Sequence, residues 1–355
     1  MGLGAKRTRT LTPLAYWRME RVLSPRELNR ATLARQLLLG RARLPVPRAV
    51  ERLAGMQAQW APAPYVGLWS RLEGFRRETL ERALRRGTVL RGVLMRGTVH
   101  LLSAPDYALF GAALDVAPPA WVTHASQETA ARVIEPLRRF AAEPRTRAEI
   151  EEWLEREHGI DIEGPNGVWY ALRLQGRIVH SAESSSWKGP RRPSFVAVDC
   201  PEIDPERARA ELVRRYLAAF GPATRGEIGK WSGMRVRDFA RSLEGLRTFR
   251  DEQGRELYDV ARGWIPPGDT VAPVRFLPKW DNTLLDRTRL LPEEYRGAVV
   301  RSNADVEQTF LVDGLVAGTW RFKDERLTTS PFAPLPREAR RELQEEAARL
   351  ATWLR

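Results

Sequence analysis

The chain has 355 residues, 43% hydrophobic and 29% charged, with 58 Lys and Arg against 45 Asp and Glu for a net charge of +13. That length exceeds one compact core and predicts two to four modules. No apolar run approaches the roughly 20 residues of a membrane span, and the single cysteine, Cys200, excludes an intramolecular disulfide framework and fits a reducing cytoplasm.

The arginine-dominated excess favours a polyanionic partner, nucleic acid or an anionic membrane surface, unless it only reflects an arginine-rich genome. Four dispersed histidines and one cysteine give no metal-ligand spacing, so neither a metal nor another cofactor is expected. Residues 1–13 carry Lys6, Arg7 and Arg9 with no apolar stretch behind them, which argues against a signal peptide.

Residues 28–39, 47–56 and 77–85 read as helices, followed by hairpin strands at 90–95 and 98–102. The apolar face of the second helix (Val50, Leu53, Ala54) leads into Gln57-Ala58-Gln59 and then Trp60-Ala61-Pro62-Ala63-Pro64. In extended chain, residues i and i+2 point the same way, so the two amides can converge on one small polar object such as a water molecule. Taken alone, the same glutamines read more readily as solvated loop residues; the apolar helix before them, the aromatics after them and the basic chain around them favour the functional reading.

An internal repeat sets the architecture. Thr146-Arg147-Ala148-Glu149-Ile150-Glu151-Glu152-Trp153 returns as Thr224-Arg225-Gly226-Glu227-Ile228-Gly229-Lys230-Trp231, five positions matching at a period of 78 residues. Each Thr can cap a helix, with the Glu three residues on completing a capping box. Each copy follows a helix (130–142 and 205–220) and precedes another (167–175 and 235–246). Two short strands then follow, at 178–182 and 195–198 in the first copy and at 247–250 and 257–260 in the second. Helix, helix, helix and a two-stranded wing is the layout of a winged helix, and the segment from 28 to 102 has the same shape.

After Pro266-Pro267-Gly268 the texture changes: 274–282, 309–312 and 316–322 alternate as strands, with Asp313-Gly314 as a hairpin turn. A terminal helix, 337–354, carries Ala339, Leu343, Ala347, Leu350 and Leu354 on one face. The expected fold class is α+β, with three tandem winged-helix modules plus a C-terminal β-rich module. The boundaries fall at 1–129, 130–203, 204–264 and 265–355.

Four motifs in this order resemble the AlkZ-type, or YcaQ-like, winged-helix DNA glycosylases over most of the chain. They are Gln57-Ala58-Gln59; Met95-Arg96-Gly97-Thr98-Val99-His100-Leu101-Leu102; Leu277-Pro278-Lys279-Trp280-Asp281-Asn282-Thr283-Leu284-Leu285 with Arg287 and Arg289; and Phe310-Leu311-Val312-Asp313-Gly314. The resemblance implies a concave basic channel and excision of alkylated purines, including bulky adducts or interstrand cross-links at guanine N7. It also implies double-stranded DNA bearing an alkylated guanine or adenine as partner. One branch of that family has a carboxylate where this chain has Gln59. The Gln-x-Gln branch includes self-resistance enzymes of antibiotic producers, so the motif does not carry a single lesion over.

A glutamine amide does not titrate near neutral pH and is no general base. An N7-alkylated guanine, however, is already cationic and departs as a neutral base. Gln57 and Gln59 are therefore the expected catalytic pair, holding a water and placing partial negative charge near the sugar. No lysine accompanies them, so a monofunctional glycosylase is expected rather than a lyase.

Expected DNA contacts are Arg96 and His100 on the wing strand, against a solvated arginine and a structural histidine. Lys188, Arg191 and Arg192 lie in a second wing. Lys279, Trp280, Asp281 and Asn282 form a loop after Pro278, in which Asp281 could equally be a turn-former. Arg287 and Arg289 are candidate phosphate ligands. A cytoplasmic monomer, nucleoid-associated when bound to DNA, is expected. The rival readings are a non-enzymatic winged-helix regulator, which leaves Gln-x-Gln idle, and a protein scaffold.

Overall fold

The computed structural model describes residues 21–114, 121–162, 167–285, 289–302 and 305–355. The expectations for residues 1–13 and for Arg287 lie outside these. The chain begins with strand β1 (Val22–Leu23) and helix α1 (Pro25–Arg35), the latter opened by a capping box between Ser24 and Glu27. A first unit follows: α2 (Val46–Arg52), β2 (Met56–Gln57), α3 (Ala63–Arg71), α4 (Arg77–Arg85) and the hairpin β3 (Val89–Val93) and β4 (Val99–Ser103). Helix α5 (Ala104–Leu114) leads to a second unit: α6 (His124–Phe140), β5 (Arg145–Thr146), α7 (Arg147–His158), α8 (Val168–Gln175), β6 (Ile178–His180) and β7 (Ser194–Ala197).

The third unit has α9 (Pro205–Phe220), α10 (Arg225–Ser232), α11 (Val236–Phe239) extended by a 3-10 turn, and the hairpin β8 (Arg247–Asp251) and β9 (Glu256–Asp259). In each unit the residues between the first two helices pair with the second hairpin strand: β2 with β4, β5 with β7, and Ala223 with Tyr258 of β9. The last part of the chain holds β10 (Arg275–Leu277), α12 (Asn282–Leu285), α13 (Arg296–Val299), β11 (Thr309–Val312), β12 (Leu315–Lys323), β13 (Arg326–Pro331) and α14 (Arg337–Leu354). Its four strands form one antiparallel sheet in the order β10-β11-β12-β13.

Local chemistry explains the repeat. Glu149 and Glu227 each accept the backbone N–H of their capping threonine at 2.7 Å, closing both boxes, and each cap contributes about 1 kcal/mol. The matched isoleucines, Ile150 and Ile228, are fully buried. Trp153 stacks on Phe140 with ring centres 4.8 Å apart, and Trp231 packs on Tyr216 at 5.0 Å.

The first two hairpins merge into one six-stranded sheet, β2-β4-β3-β6-β7-β5, where Arg91 of β3 pairs with His180 of β6. Gly92 permits that approach: a Cβ there would lie 2.6 Å from the Tyr107 ring and 3.0 Å from Val179. Buried apolar residues from all three units and from α14 form one continuous core. Among the described residues no helix is long and apolar enough to cross a membrane.

The structure departs from the sequence expectation at several elements. Helix α3 occupies a stretch for which no element was expected; all of its residues are buried, and the prolines that open it mark loops as readily as helices. The expected helix at 235–246 is broken after Phe239, where the next turns tighten to 3-10. Strand β13 follows β12 although its sequence is polar, since its side chains are mostly exposed at a sheet edge. The helix expected at 28–39 runs instead over Pro25–Arg35, starting at its cap.

Helix α1 is tied to the third unit by a buried, two-pronged ion pair. Arg35 Nη1 and Nη2 donate to the Asp259 carboxylate at 2.6 and 2.8 Å, and Nη1 also reaches the Leu217 carbonyl at 2.8 Å. Removing one partner strands the other charge, so Arg35→Ala is expected to cost about 3–5 kcal/mol in urea denaturation. The paired replacement Arg35→Met with Asp259→Leu is expected to recover most of that loss.

Candidate active site

Gln57 is the last residue of β2, opposite His100 of β4, and Ala58 N–H continues the ladder to the Val99 carbonyl at 2.7 Å. Gln57 is buried (7% exposed), whereas Gln59 is exposed. Each amide oxygen has a donor: Arg96 Nη2 donates to Gln57 Oε1 at 3.3 Å, and Val99 N–H donates to Gln59 Oε1 at 3.2 Å. A second lone pair remains on each oxygen. The donors also fix which end of each amide is oxygen.

Three arginine and asparagine side chains hold this strand from different parts of the chain. Arg91 of β3 donates to the carbonyls of Ala58 (2.8 Å), Gln59 (3.3 Å) and Ser184 (3.1 Å), so one guanidinium locks the end of the Gln-Ala-Gln segment to the turn at Glu183–Ser185 in the second unit. Burial lowers the Arg91 pKa to about 10, which leaves it charged at neutral pH. Arg96 also donates to the Trp231 carbonyl at the end of α10, bringing the third unit to the site. Asn282 bonds the backbone on either side of Met56, accepting from Gln57 N–H at 2.9 Å and donating to the Gly55 carbonyl at 2.8 Å.

Around the strand, three non-glycine residues have left-handed φ values: Ala54 (+55°), Arg96 (+56°) and Trp280 (+52°). Such conformations persist where surrounding packing over-determines them, and they cluster at functional sites. A cavity of about 10 Å³, room for a single water, is lined by Gln57, Gln36, Arg71, Trp280, Asp281 and Asn282 among others.

Several expected DNA contacts are engaged inside the protein. His100 is fully buried, with Nδ1 on the Thr98 carbonyl at 3.0 Å. Its strand lies between β2 and β3, which the sequence does not show. Asp281 is buried against Arg71 (2.9 Å) and accepts from Thr283 N–H and Oγ1, which supports the turn-former alternative. Asn282 is engaged by β2.

Lys279 pairs with Asp305 at 2.8 Å and lies over the Trp280 ring, itself half-buried. Arg289 donates to the Pro222 carbonyl at 2.7 Å and to Glu227 at 3.2 Å. Arg96 and His100 do not share an unbroken strand face, because Arg96 lies in a 3-10 turn, Met95–Gly97, ahead of β4.

Lys188, Arg191 and Arg192 are exposed and form no ion pair among the described residues. The neighbouring Trp187 does not face solvent with them; it packs edge-on against Tyr65 and Trp353 under the Arg77 guanidinium. Arg91, absent from the expectation, was readable as a lone cation in an otherwise apolar strand.

A family model described as "DNA glycosylase AlkZ-like" matches residues 50–353. A relative from Streptomyces sahachiroi named "Interstrand DNA cross-link repair glycosylase" is 26% identical over 357 aligned positions, 90% of this chain and 93% of its own. The solved structure of Streptomyces sahachiroi DNA glycosylase AlkZ superposes with a TM-score of 0.77 over 93% of this chain and 96% of that one, at 21% identity, a likeness of fold.

Burial, with Arg96 beside it, pushes the His100 imidazole down to about 3. The ordinary value is 6.5, so the unfolded chain takes the proton first. The stability tied to neutral His100 is therefore complete above about pH 6.5 and is lost as the pH falls toward 3. The His100 ring resonances are expected not to titrate between about pH 5 and 8 when followed by NMR; a midpoint near neutrality would contradict the buried placement.

Proposed function

Since the chain belongs to the AlkZ-like DNA glycosylase family, with the α+β fold of AlkZ, we propose that it excises N7-alkylated guanine or adenine from double-stranded DNA. Gln57 and Gln59 are the groups at the reacting sugar. The C1′–N9 bond breaks with its electron pair going to the cationic base, which leaves neutral. Water oxygen then bonds to C1′ and gives its proton to solvent. The two amides supply position and partial negative charge for the cationic sugar rather than proton transfer.

The observation that carries this reading is the paired presentation of the amides. Gln57 is buried and fixed, Gln59 is exposed two residues beyond it, and both keep an acceptor lone pair. The nearby titratable groups do not favour acid catalysis: His100 is neutral and buried, and Asp281 is paired with Arg71. A lesion that brings its own positive charge needs neither. No lyase step is included, so the activity is monofunctional.

The helix–strand–helix–helix–hairpin units are read as three winged helices, with module boundaries at 1–129, 130–203, 204–264 and 265–355 around a basic channel. The second wing, with Lys188, Arg191 and Arg192, forms one wall of it. Arg91 places the base of that wing at Gln59. The Streptomyces relative, an interstrand DNA cross-link repair glycosylase, supports extending the substrate class to cross-linked adducts; bulky adducts and self-resistance to a genotoxin belong to the same reading. The protein acts in the cytoplasm as a monomer on nucleoid DNA.

Incubation with a duplex carrying N7-methylguanine, followed by mass spectrometry, is expected to show the freed base. Gln57→Ala and Gln59→Ala are each expected to raise the barrier by about 1–4 kcal/mol, roughly fivefold to a thousandfold in rate. Free base released at the wild-type rate by both variants would remove the amides from the mechanism.

Replacing Lys188, Arg191 and Arg192 together by Ala is expected to weaken DNA binding and to flatten the slope of log K against log salt by about 2 to 3. An unchanged slope in a filter-binding or anisotropy titration would take the wing off the DNA path.

A further inference from the structure

The geometry points to Asn282 as a positioning residue for Gln57, an inference that rests on the glycosylase reading of the Gln-Ala-Gln segment. Strand β2 has a ladder partner on one side only. Ala58 N–H turns inward to Val99 of β4, so by alternation Gln57 N–H turns outward. On that open side Asn282 takes the place of a missing strand. Its Oδ1 accepts from Gln57 N–H at 2.9 Å and its Nδ2 donates to the Gly55 carbonyl at 2.8 Å. A side-chain amide offers one acceptor and two donors on a planar group, the features a peptide unit would present. The partners are a backbone donor and a backbone acceptor, so the orientation of the amide is fixed by them.

Asn282 is itself immobilised. It is 8% exposed and stands at the first position of α12. It follows Asp281, whose carboxylate is tied to Arg71 and to Thr283. Arg71 in turn reaches the carbonyls of Gln36 and Gly67. The position of the buried glutamine is thus set by a residue 225 positions away in sequence, while Arg96 sets the direction of its side chain. A displacement of about 1 Å at a group of this kind can cost a hundredfold in rate. Asn282 therefore acts on the reaction through Gln57, without touching the DNA.

Two variants separate this role from a general loss of structure. Asn282→Leu keeps the branched shape, with somewhat greater volume, and removes both bonds; Asn282→Asp keeps only the acceptor for Gln57 N–H. With lesion duplex at saturating enzyme, single-turnover base release by Asn282→Leu is expected to fall roughly tenfold to a hundredfold, with duplex affinity within about twofold of wild type. Asn282→Asp is expected to fall between the two. Hydrogen exchange of the peptide containing Gln57 is expected to accelerate in Asn282→Leu and to stay slow in Asn282→Asp. Circular dichroism melting confirms the fold of each, and Asn282→Asp carries the test should Asn282→Leu not fold.

Base release at the wild-type rate by folded Asn282→Leu, or a rate loss matched by lost affinity, would overturn the inference. Unchanged exchange at Gln57 would overturn it as well. Should wild-type protein release no base, the glycosylase reading fails separately, and the exchange measurement still decides whether Asn282 holds Gln57.

Discussion

A two-residue strand cannot hold two side chains in place by its own ladder, and the arrangement around Gln57 follows from that constraint. Strand β2 has one register pair beyond Gln57 itself, Met56 with Leu101. The rest of its definition comes from side chains: Arg91 on the carbonyls of Ala58 and Gln59, Arg96 on the Gln57 amide, and Asn282 on the outer backbone edge. Each belongs to a different element, and two of them extend the connection beyond the first unit, to Ser184 and to Trp231. The amides are consequently located where the first unit meets the other two and the C-terminal sheet. Folding of the whole chain, rather than of one unit, is what completes this segment.

The electrostatics of the segment differ from those of an ordinary buried ion pair. Arg91 is buried and charged, yet its hydrogen bonds go to three carbonyls, and it forms no ion pair among the described residues. Carbonyl dipoles solvate a guanidinium without cancelling its charge, so positive potential persists at the Gln59 end. Lys188, Arg191 and Arg192, exposed between β6 and β7, add to it from the surface. Such a field attracts phosphates. It would oppose a cationic sugar unless local negative ends faced that sugar, and the amide oxygens are the local negative ends that the segment presents. In the proposed reaction, long-range attraction of the polyanion and short-range stabilisation of the developing cation therefore fall to different groups.

Legibility in the sequence followed the range of the interactions. The two capping boxes depend on residues three apart, and both were visible as Thr-x-x-Glu before an apolar face. The terminal helix Arg337–Leu354, with its single apolar stripe, likewise matches its expected span. Helix α3 was hidden because the prolines that begin it also mark loops, and because its polar residues, Ser70 and Arg71, are buried with the rest, so no face of it is set toward solvent. The tripeptide could be singled out, but not the difference in exposure between Gln57 and Gln59. His100, Asp281 and Asn282 were recognisable as unusual residues. Their inward direction depends on partners in other elements, such as β2, β3 and Arg71, that no local pattern specifies.

The same buried groups bear on what can leave the sugar. A neutral purine departs only if a proton reaches it, and the titratable side chains packed around β2 are poorly suited to deliver one. The His100 imidazole is held unprotonated by burial beside Arg96. Asp281 is buried and engaged by Arg71 and Thr283, and Arg91 is a base far too strong to release its proton near neutrality. What remains at the segment are dipoles, and dipoles stabilise charge without creating it. On the proposed reaction the charge must then come with the substrate, which favours purines already alkylated at a ring nitrogen over intact or merely mispaired bases. Selectivity of this kind requires no shape-matched pocket around the lesion: it comes from lacking the acid that would attack normal DNA. It is also compatible with adducts too large to be swung out of the helix.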